Sequence, residues 1–372
     1  MKTLTDIPNV RGVKVLLRAD FNVPVKNGAV ADDFRIRAAL PTISFLRERG
    51  ARLIIVSHLE VLEGEKATLE PVALSLAKLG VPVSFVKDYK KAFAQSESLK
   101  DGECMLLENL RMWPGEKAND PKFARDLASL ADIYVNDAFP VSHREHASVV
   151  GVPRLIPGYA GLQLEKEVTN LSRAFTPAHP FLFILGGAKF ETKMPLLAKF
   201  LDLADAVFVG GALANDLLKA KGYEVGQSLL SKAVLDLSAF IVNPKLMVPI
   251  DVVTQNGETK LANALLLSDK IMDAGPRSVA LLQEKVAAAK FILWNGPMGL
   301  YEDGYRSPTL DIARMLSEAT GRGATTIVGG GDTIAAIATL GAEEKFTFVS
   351  TAGGAMLDYL AQGTLPGIEA LG

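Results

Sequence analysis

Short apolar runs separated by amphipathic stretches recur along the whole chain. Phe181–Leu185 is such a run, five residues long and ending in Gly186-Gly187. It is too short to span a membrane and has the length of a fully buried strand. Similar runs predict strands at Val13–Leu17, Arg52–Val56, Val81–Val86, Met105–Leu107 and Ile133–Val135. Five more follow Phe181–Leu185, at Ala206–Val209, Lys245–Val248, Phe291–Trp294, Thr325–Val328 and Thr347–Val349. Helical spacing predicts helices over Arg35–Gly50, Pro71–Leu79, Pro121–Leu130 and Thr333–Leu340. Alternating strands and helices argue for right-handed βαβ units and a mostly parallel α/β sheet. Gly151–Tyr159, rich in Gly and Pro, reads as a turn or boundary. Leu162–Phe175 reads as a connecting helix, after which the alternation restarts.

A chain of 372 residues is long enough for two domains, and 49% apolar residues can build a sizeable core. The expected division is residues 1–160 and 161–360. A net charge of −2 gives no reason to expect a nucleic-acid or membrane partner. Cys104, the single cysteine, excludes an intrachain disulfide, fits a reducing compartment and reads as a packing residue. Neither it nor the four histidines shows zinc-ligand spacing, and the opening MKTLTDIPNVRG lacks the apolar core of a signal peptide.

Candidate chemistry gathers at the carboxyl ends of the strands, where open α/β sheets place ligand residues. The first half carries Arg18, Asp20, Asn22, His58 and Arg111 there, with His143, Arg144 and His146 a little past its last strand. Arg35 lies near the start of the first helix, as either a surface charge or an anion ligand. Several arginines on one edge of a nearly neutral chain suggest a site for a small polyanion, since guanidinium forks match carboxylate and phosphate oxygens. The second half ends its strands in glycine instead, at Gly186-Gly187, Gly210-Gly211, Gly296, Gly329-Gly330-Gly331 and Gly353-Gly354. That edge suits close backbone contact with a nucleotide. Lys189 and Lys193 are four apart and can share one face of a first helical turn there. Asp332 is either a Mg²⁺ ligand or the N-cap of the following helix, and both roles are compatible. No Walker A or protein-kinase glycine pattern occurs. Two halves, one basic and one glycine-rich, fit a hinge enzyme that brings an anionic acceptor to ATP.

Arg18–Pro24 (RADFNVP), Leu106–Arg111 (LLENLR), Tyr134–Phe139 (YVNDAF), Leu185–Lys189 (LGGAK), Trp294–Gly299 (WNGPMG), Gly329–Thr333 (GGGDT) and Leu365–Leu371 (LPGIEAL) occur in order along the whole chain. In these motifs the chain resembles the phosphoglycerate kinases. The resemblance implies two Rossmann-like, doubly wound parallel-sheet domains joined by a helix and hinge, with tail 361–372 packing back on the N-terminal domain. It implies a cytoplasmic, monomeric enzyme that moves a phosphoryl group reversibly between MgATP and the carboxylate of 3-phosphoglycerate, giving ADP and 1,3-bisphosphoglycerate. Carried over by motif, Arg18, Asp20, Phe21, Asn22, His58, Arg111 and Arg144 bind the acceptor, with His143 and His146 nearby. Arg35 and Lys189 stabilise the transferring group. Lys193, Gly211, Asn295, Glu302, Gly330, Gly331, Asp332 and Thr333 hold the nucleotide, with Lys193 also catalytic, Glu302 at the ribose and Asp332 at Mg²⁺.

The chain departs from the family pattern in two acceptor loops. Glu60-Val61-Leu62 stands where the family continues Gly-Arg-Pro, which removes a phosphate-binding arginine and adds a carboxylate. Pro140-Val141 follows Phe139 where Gly-Thr or Gly-Ala is usual, and Pro140 has no N–H to offer a phosphate. Milder departures lie on the nucleotide edge, where Ala212 and Ala352 each stand where a third glycine is common. On these departures a kinase for another carboxylic acid, or a non-catalytic nucleotide-binding relative, stays open.

Overall fold

The computed structural model describes residues 1–60, 68–188, 190–233 and 235–372. Its first sheet is built from β1 (Lys14–Arg18), β2 (Arg52–Val56), β3 (Ser84–Val86), β4 (Cys104–Leu107), β5 (Ile133–Asn136) and β6 (Gly158–Ala160). The order is β3-β4-β2-β1-β5-β6, and every neighbouring pair is parallel. Continuous apolar runs suit the central strands because helices cover both faces. Residues 15–18 of β1 and 53–56 of β2 are all buried. Helix Phe34–Glu48 turns Ile36, Ala39, Ile43 and Leu46 into the same core as Leu17, Leu53 and Ile55, at the three- and four-residue steps of one helical face. Strand order reverses between β1 and β5, so the crevice for a ligand opens beyond Arg18 and Asn136.

The second large sheet repeats this plan. It contains β7 (Phe181–Leu185), β8 (Ala206–Val209), β9 (Leu246–Met247), β13 (Phe291–Asn295), β14 (Thr325–Gly329) and β15 (Phe348–Val349) in the order β9-β8-β7-β13-β14-β15. These too are parallel, and order reverses between β7 and β13. Between β9 and β13 the chain makes a separate antiparallel sheet from β10 (Asp251–Thr254), β11 (Thr259–Leu261) and β12 (Ile271–Ala274), with β10 central.

The chain divides into two compact units, Met1–Thr169 with Gln362–Gly372, and Asn170–Ala361. The boundary falls inside helix Leu162–Ser172. The C-terminal segment packs into the first unit. Gly367 N–H donates to the Ser142 carbonyl at 2.8 Å, Asn136 Nδ2 donates to the Gly367 carbonyl at 3.3 Å, and Leu365 and Leu371 are buried.

Several elements differ from the sequence reading. Gly151–Tyr159 is no boundary: its last two residues begin β6, which completes the first sheet. The strand expected at Val81–Val86 shrinks to its last three residues, and Lys245–Val248 to its middle two. Helix Tyr89–Ser98 has too few apolar positions to stand out, but Asp88 caps it by accepting the Lys90 N–H. The last long glycine loop does not wait for Thr333: its helix starts at Gly331, so Gly330 holds the N-cap position and Asp332 lies in the first turn.

Candidate active site

Beyond β1, Asp20 pairs with Arg35 from the first turn of helix Phe34–Glu48. Arg35 Nη1 donates to Asp20 Oδ2 at 2.9 Å and to the Asn22 carbonyl at 3.3 Å. Asp20 is buried while Arg35 keeps 31% of its side-chain surface, so a fixed carboxylate aims an accessible guanidinium. Phe21 lies fully in the core and its N–H donates to Ser57 Oγ, so it supports the loop from behind and presents no side chain to a ligand.

Arg18 is fully buried and its donors have protein partners. Nε donates to Ser148 Oγ at 2.9 Å, Nη1 to the Ala19 carbonyl at 2.6 Å and Nη2 to His58 Nδ1 at 3.1 Å. A guanidinium only donates, so Nδ1 of His58 accepts and its neutral ring carries the proton on Nε2. Burial, reinforced by Arg18, Arg111 and Arg35, holds the His58 pKa well below the ordinary histidine range. Burial and then Arg111 and Arg144 push His146 down to about 4. His58 and His146 are therefore neutral polar groups near pH 7, and the positive charge comes from arginine. Glu116, fully buried, lies 4.0 Å from His146 Nδ1, too weakly placed against a neutral ring to form an ion pair. Its firm contacts are the Ser148 N–H at 3.0 Å and Ser148 Oγ at 2.6 Å, which tie it to Arg18 through one hydroxyl.

Arg111 follows β4 on a short 3-10 turn whose N-cap is Asn109. Its Nη1 donates to Glu60 Oε1. Arg144 is exposed and His143 half-buried after the 3-10 turn Phe139–Val141 that contains Pro140. Val61 and Leu62 lie outside the described residues.

The glycine edge of the second unit is packed first against itself. Gly186 N–H donates to the Asn295 carbonyl, Gly187 N–H to the Pro297 carbonyl and Gly211 N–H to the Met298 carbonyl, at 2.8–3.0 Å. A Cβ on Gly186 would lie 2.2 Å from the Pro297 oxygen, and one on Gly211 2.6 Å from the Gly187 nitrogen. Glycine is needed at these positions for loop to meet loop, a requirement separate from any contact with a nucleotide. Thr333 and Asn295 also turn inward. Thr333 Oγ1 accepts the Gly296 N–H at 3.0 Å, and buried Asn295 Nδ2 faces Met356 Sδ at 3.6 Å.

A cavity of about 230 Å³ opens over this edge, lined by Gly187, Gly211, Met298, Tyr301, Glu302 and Asp332 among others. Lys193, in the first turn of helix Phe190–Leu203, donates from Nζ to the Gly186 carbonyl at 2.8 Å. Burial lowers its pKa to about 8, against a smaller opposing pull from Asp332. Gly330 has a positive φ of 101°, and Gly331 faces open space. Lys189 lies outside the described residues. Sequence reasoning missed Asp273, a buried residue of β12 that lines the same cavity and whose carboxyl burial raises to about 7. Its element was not legible, so nothing marked it.

Two parallel-sheet units, one with arginines beyond its switch point and the other with a glycine-lined cavity beside a lysine, define an α/β phosphotransferase. The family model for phosphoglycerate kinase matches residues 4–363. Phosphoglycerate kinase of Dictyoglomus turgidum is 42% identical, with 100% of this chain and 98% of that protein covered. That of Pelotomaculum thermopropionicum is 43% identical with the same coverage. The structure of phosphoglycerate kinase from Coxiella burnetii superposes with a TM-score of 0.86 at 36% identity, covering 99% of this chain and 98% of the other. The chain belongs to the phosphoglycerate kinase family and is a transferase of phosphoryl groups. These relatives lend no support to a kinase for another acid or to a non-catalytic role.

Proposed function

We propose that the chain transfers a phosphoryl group reversibly between MgATP and the carboxylate of 3-phosphoglycerate, with ADP and 1,3-bisphosphoglycerate as the other pair. The reading rests most on one feature beyond family membership: an accessible arginine, Arg35, aimed by buried Asp20 beside the arginine cluster of the first unit.

The acceptor carboxylate is ionised near pH 7 and needs no base. Catalysis is then positioning and cancellation of charge on the phosphoryl oxygens. Arg35 meets the carboxylate and the transferring group. Asp20 and Asn22 orient the glycerate end, and Arg111 and Arg144 take the distal phosphate. Arg18 and His58 hold the floor of that pocket, with Arg18 supplying charge from within and neutral His58 a polar contact. In the second unit the helix Gly331–Thr339 presents its N-terminus to phosphates, Lys193 adds an ammonium and Glu302 takes the ribose. Lys189 belongs to the same set through its motif.

Among the described residues no group of three or more His, Cys, Asp or Glu could enclose a metal. Exposed Asp332 beside a helix N-terminus fits a Mg²⁺ held mainly by phosphate oxygens and water. When bound, Mg²⁺ neutralises phosphate charge, and Asp332 would be its protein ligand. Hinge bending that excludes water, a monomeric state and a cytoplasmic setting belong to the same reading.

Trapping the product with hydroxylamine tests the acceptor chemistry. An acyl phosphate made from MgATP and 3-phosphoglycerate gives a hydroxamate. ATP consumption with no hydroxamate would exclude the carboxylate as acceptor.

A further inference from the structure

We infer that Glu60 is a specificity-determining residue whose carboxylate occupies the phosphate position on Arg111, so that a phosphorylated acceptor must displace it. The inference rests on the acceptor site proposed above and assigns a residue that the family pattern lacks.

The Arg111 side chain is 9% exposed and that of Glu60 is 55% exposed. A surface carboxylate thus reaches in to a buried cation. One amide fixes their approach: Asn109 Oδ1 accepts both the Leu59 and Arg111 N–H groups at 3.1 Å, while Asn109 Nδ2 donates to the Leu59 carbonyl at 2.9 Å. Glu60 N–H donates to Asn22 Oδ1 at 2.8 Å, so the acceptor loop after β1 is tied to the same place. Arg111 is left under-used by this contact. Its Nε is buried without a hydrogen-bond partner among the described residues, although a guanidinium fork suits a bidentate oxyanion. The carboxylate also feels Arg144 and Lys117, which together with Arg111 keep it ionised. Glu60 therefore sits as an internal anion among cations, holding Nη1 of Arg111 and leaving its buried Nε without a partner among the described residues. A phosphate can satisfy more of those donors, and a displaced Glu60 swings to solvent. An acceptor without a phosphate gains nothing from that exchange.

Glu60→Gln separates this role from others. The KM for 3-phosphoglycerate should fall by about three- to tenfold, as expected for loss of a half-exposed ion pair that competes with substrate. The change should fall on KM rather than kcat, and the KM for unphosphorylated glycerate should stay put. In an Arg111→Met background the same substitution should lose its effect on KM. Calorimetric binding of 3-phosphoglycerate to wild type and Glu60→Gln reads the competition without turnover. Tighter binding by the variant supports the inference even if the wild type transfers no phosphoryl group, an outcome that would count against the proposed reaction alone. Equal binding, or an equal gain with Arg111→Met or with glycerate, would overturn it.

Discussion

Arg35 and Asp20 face each other at 2.9 Å with very different exposure, and that asymmetry makes Arg35 the residue to test first. Arg35→Ala should lower kcat by about two to three orders of magnitude, the usual cost of one preorganised donor to a developing charge. Affinity for MgADP should be unchanged in a calorimetric titration, and near-normal turnover would remove Arg35 from the reaction. Lys193 gives a second test. With its pKa at about 8 in the free protein, its ammonium is complete below that pH and lost above it. MgADP affinity should hold steady up to about pH 8 and weaken beyond it, with Lys193→Met flattening that fall. Residue identities at the strand ends were legible because charge there is rare and clustered. Their electrical state was not. His58 reads as basic in sequence, and only burial among Arg18, Arg111 and Arg35 makes it neutral. The Glu60–Arg111 contact was equally hidden, since it joins residues 51 apart in sequence.

At the scale of elements, long apolar runs declared themselves. β2, β7 and β8 lie where the pattern puts them, because strands buried on both faces need uninterrupted apolar residues. In the antiparallel sheet of β10, β11 and β12, the short and largely exposed Thr259–Leu261 was silent because no core imprints a pattern on it. Mostly buried β10 and β12 carry aspartates, Asp251 and Asp273, inside runs of only four residues. Helix Leu162–Ser172 begins on a buried carboxylate. Asp137 Oδ1 accepts the Gln163 and Leu164 N–H groups at 2.8 and 3.4 Å. Burial outweighs these bonds and lifts its pKa from 3.8 to about 7. The folded state then binds a proton that the unfolded state has released. This group's contribution is complete at low pH and is lost as pH rises from about 4 to about 7. Asp273 contributes in the same direction. Asp137→Asn should keep the helix start and reduce the fall in stability across that window, read from urea unfolding at pH 5 and pH 7.5. An unchanged slope would mean that Asp137 titrates elsewhere.

Across the whole molecule the chain leaves the first unit through helix Leu162–Ser172 and returns to it at Gln362. The returning segment is anchored by Leu365, 1% exposed, and by the Gly367–Ser142 hydrogen bond. Leu365→Ala should destabilise the first unit by about 2–5 kcal/mol, as a buried leucine truncation does. Intrinsic fluorescence of Trp113 during denaturant unfolding would register the loss, and an unchanged midpoint would show that the tail is not needed there. The central claim is that arginines of one unit and the glycine-lined cavity of the other serve a single transfer. Steady-state formation of ADP from MgATP, scanned to high 3-phosphoglycerate, tests it most directly. The account predicts saturable turnover that depends on 3-phosphoglycerate. Nucleotide binding with no ADP formation at any acceptor concentration would contradict it.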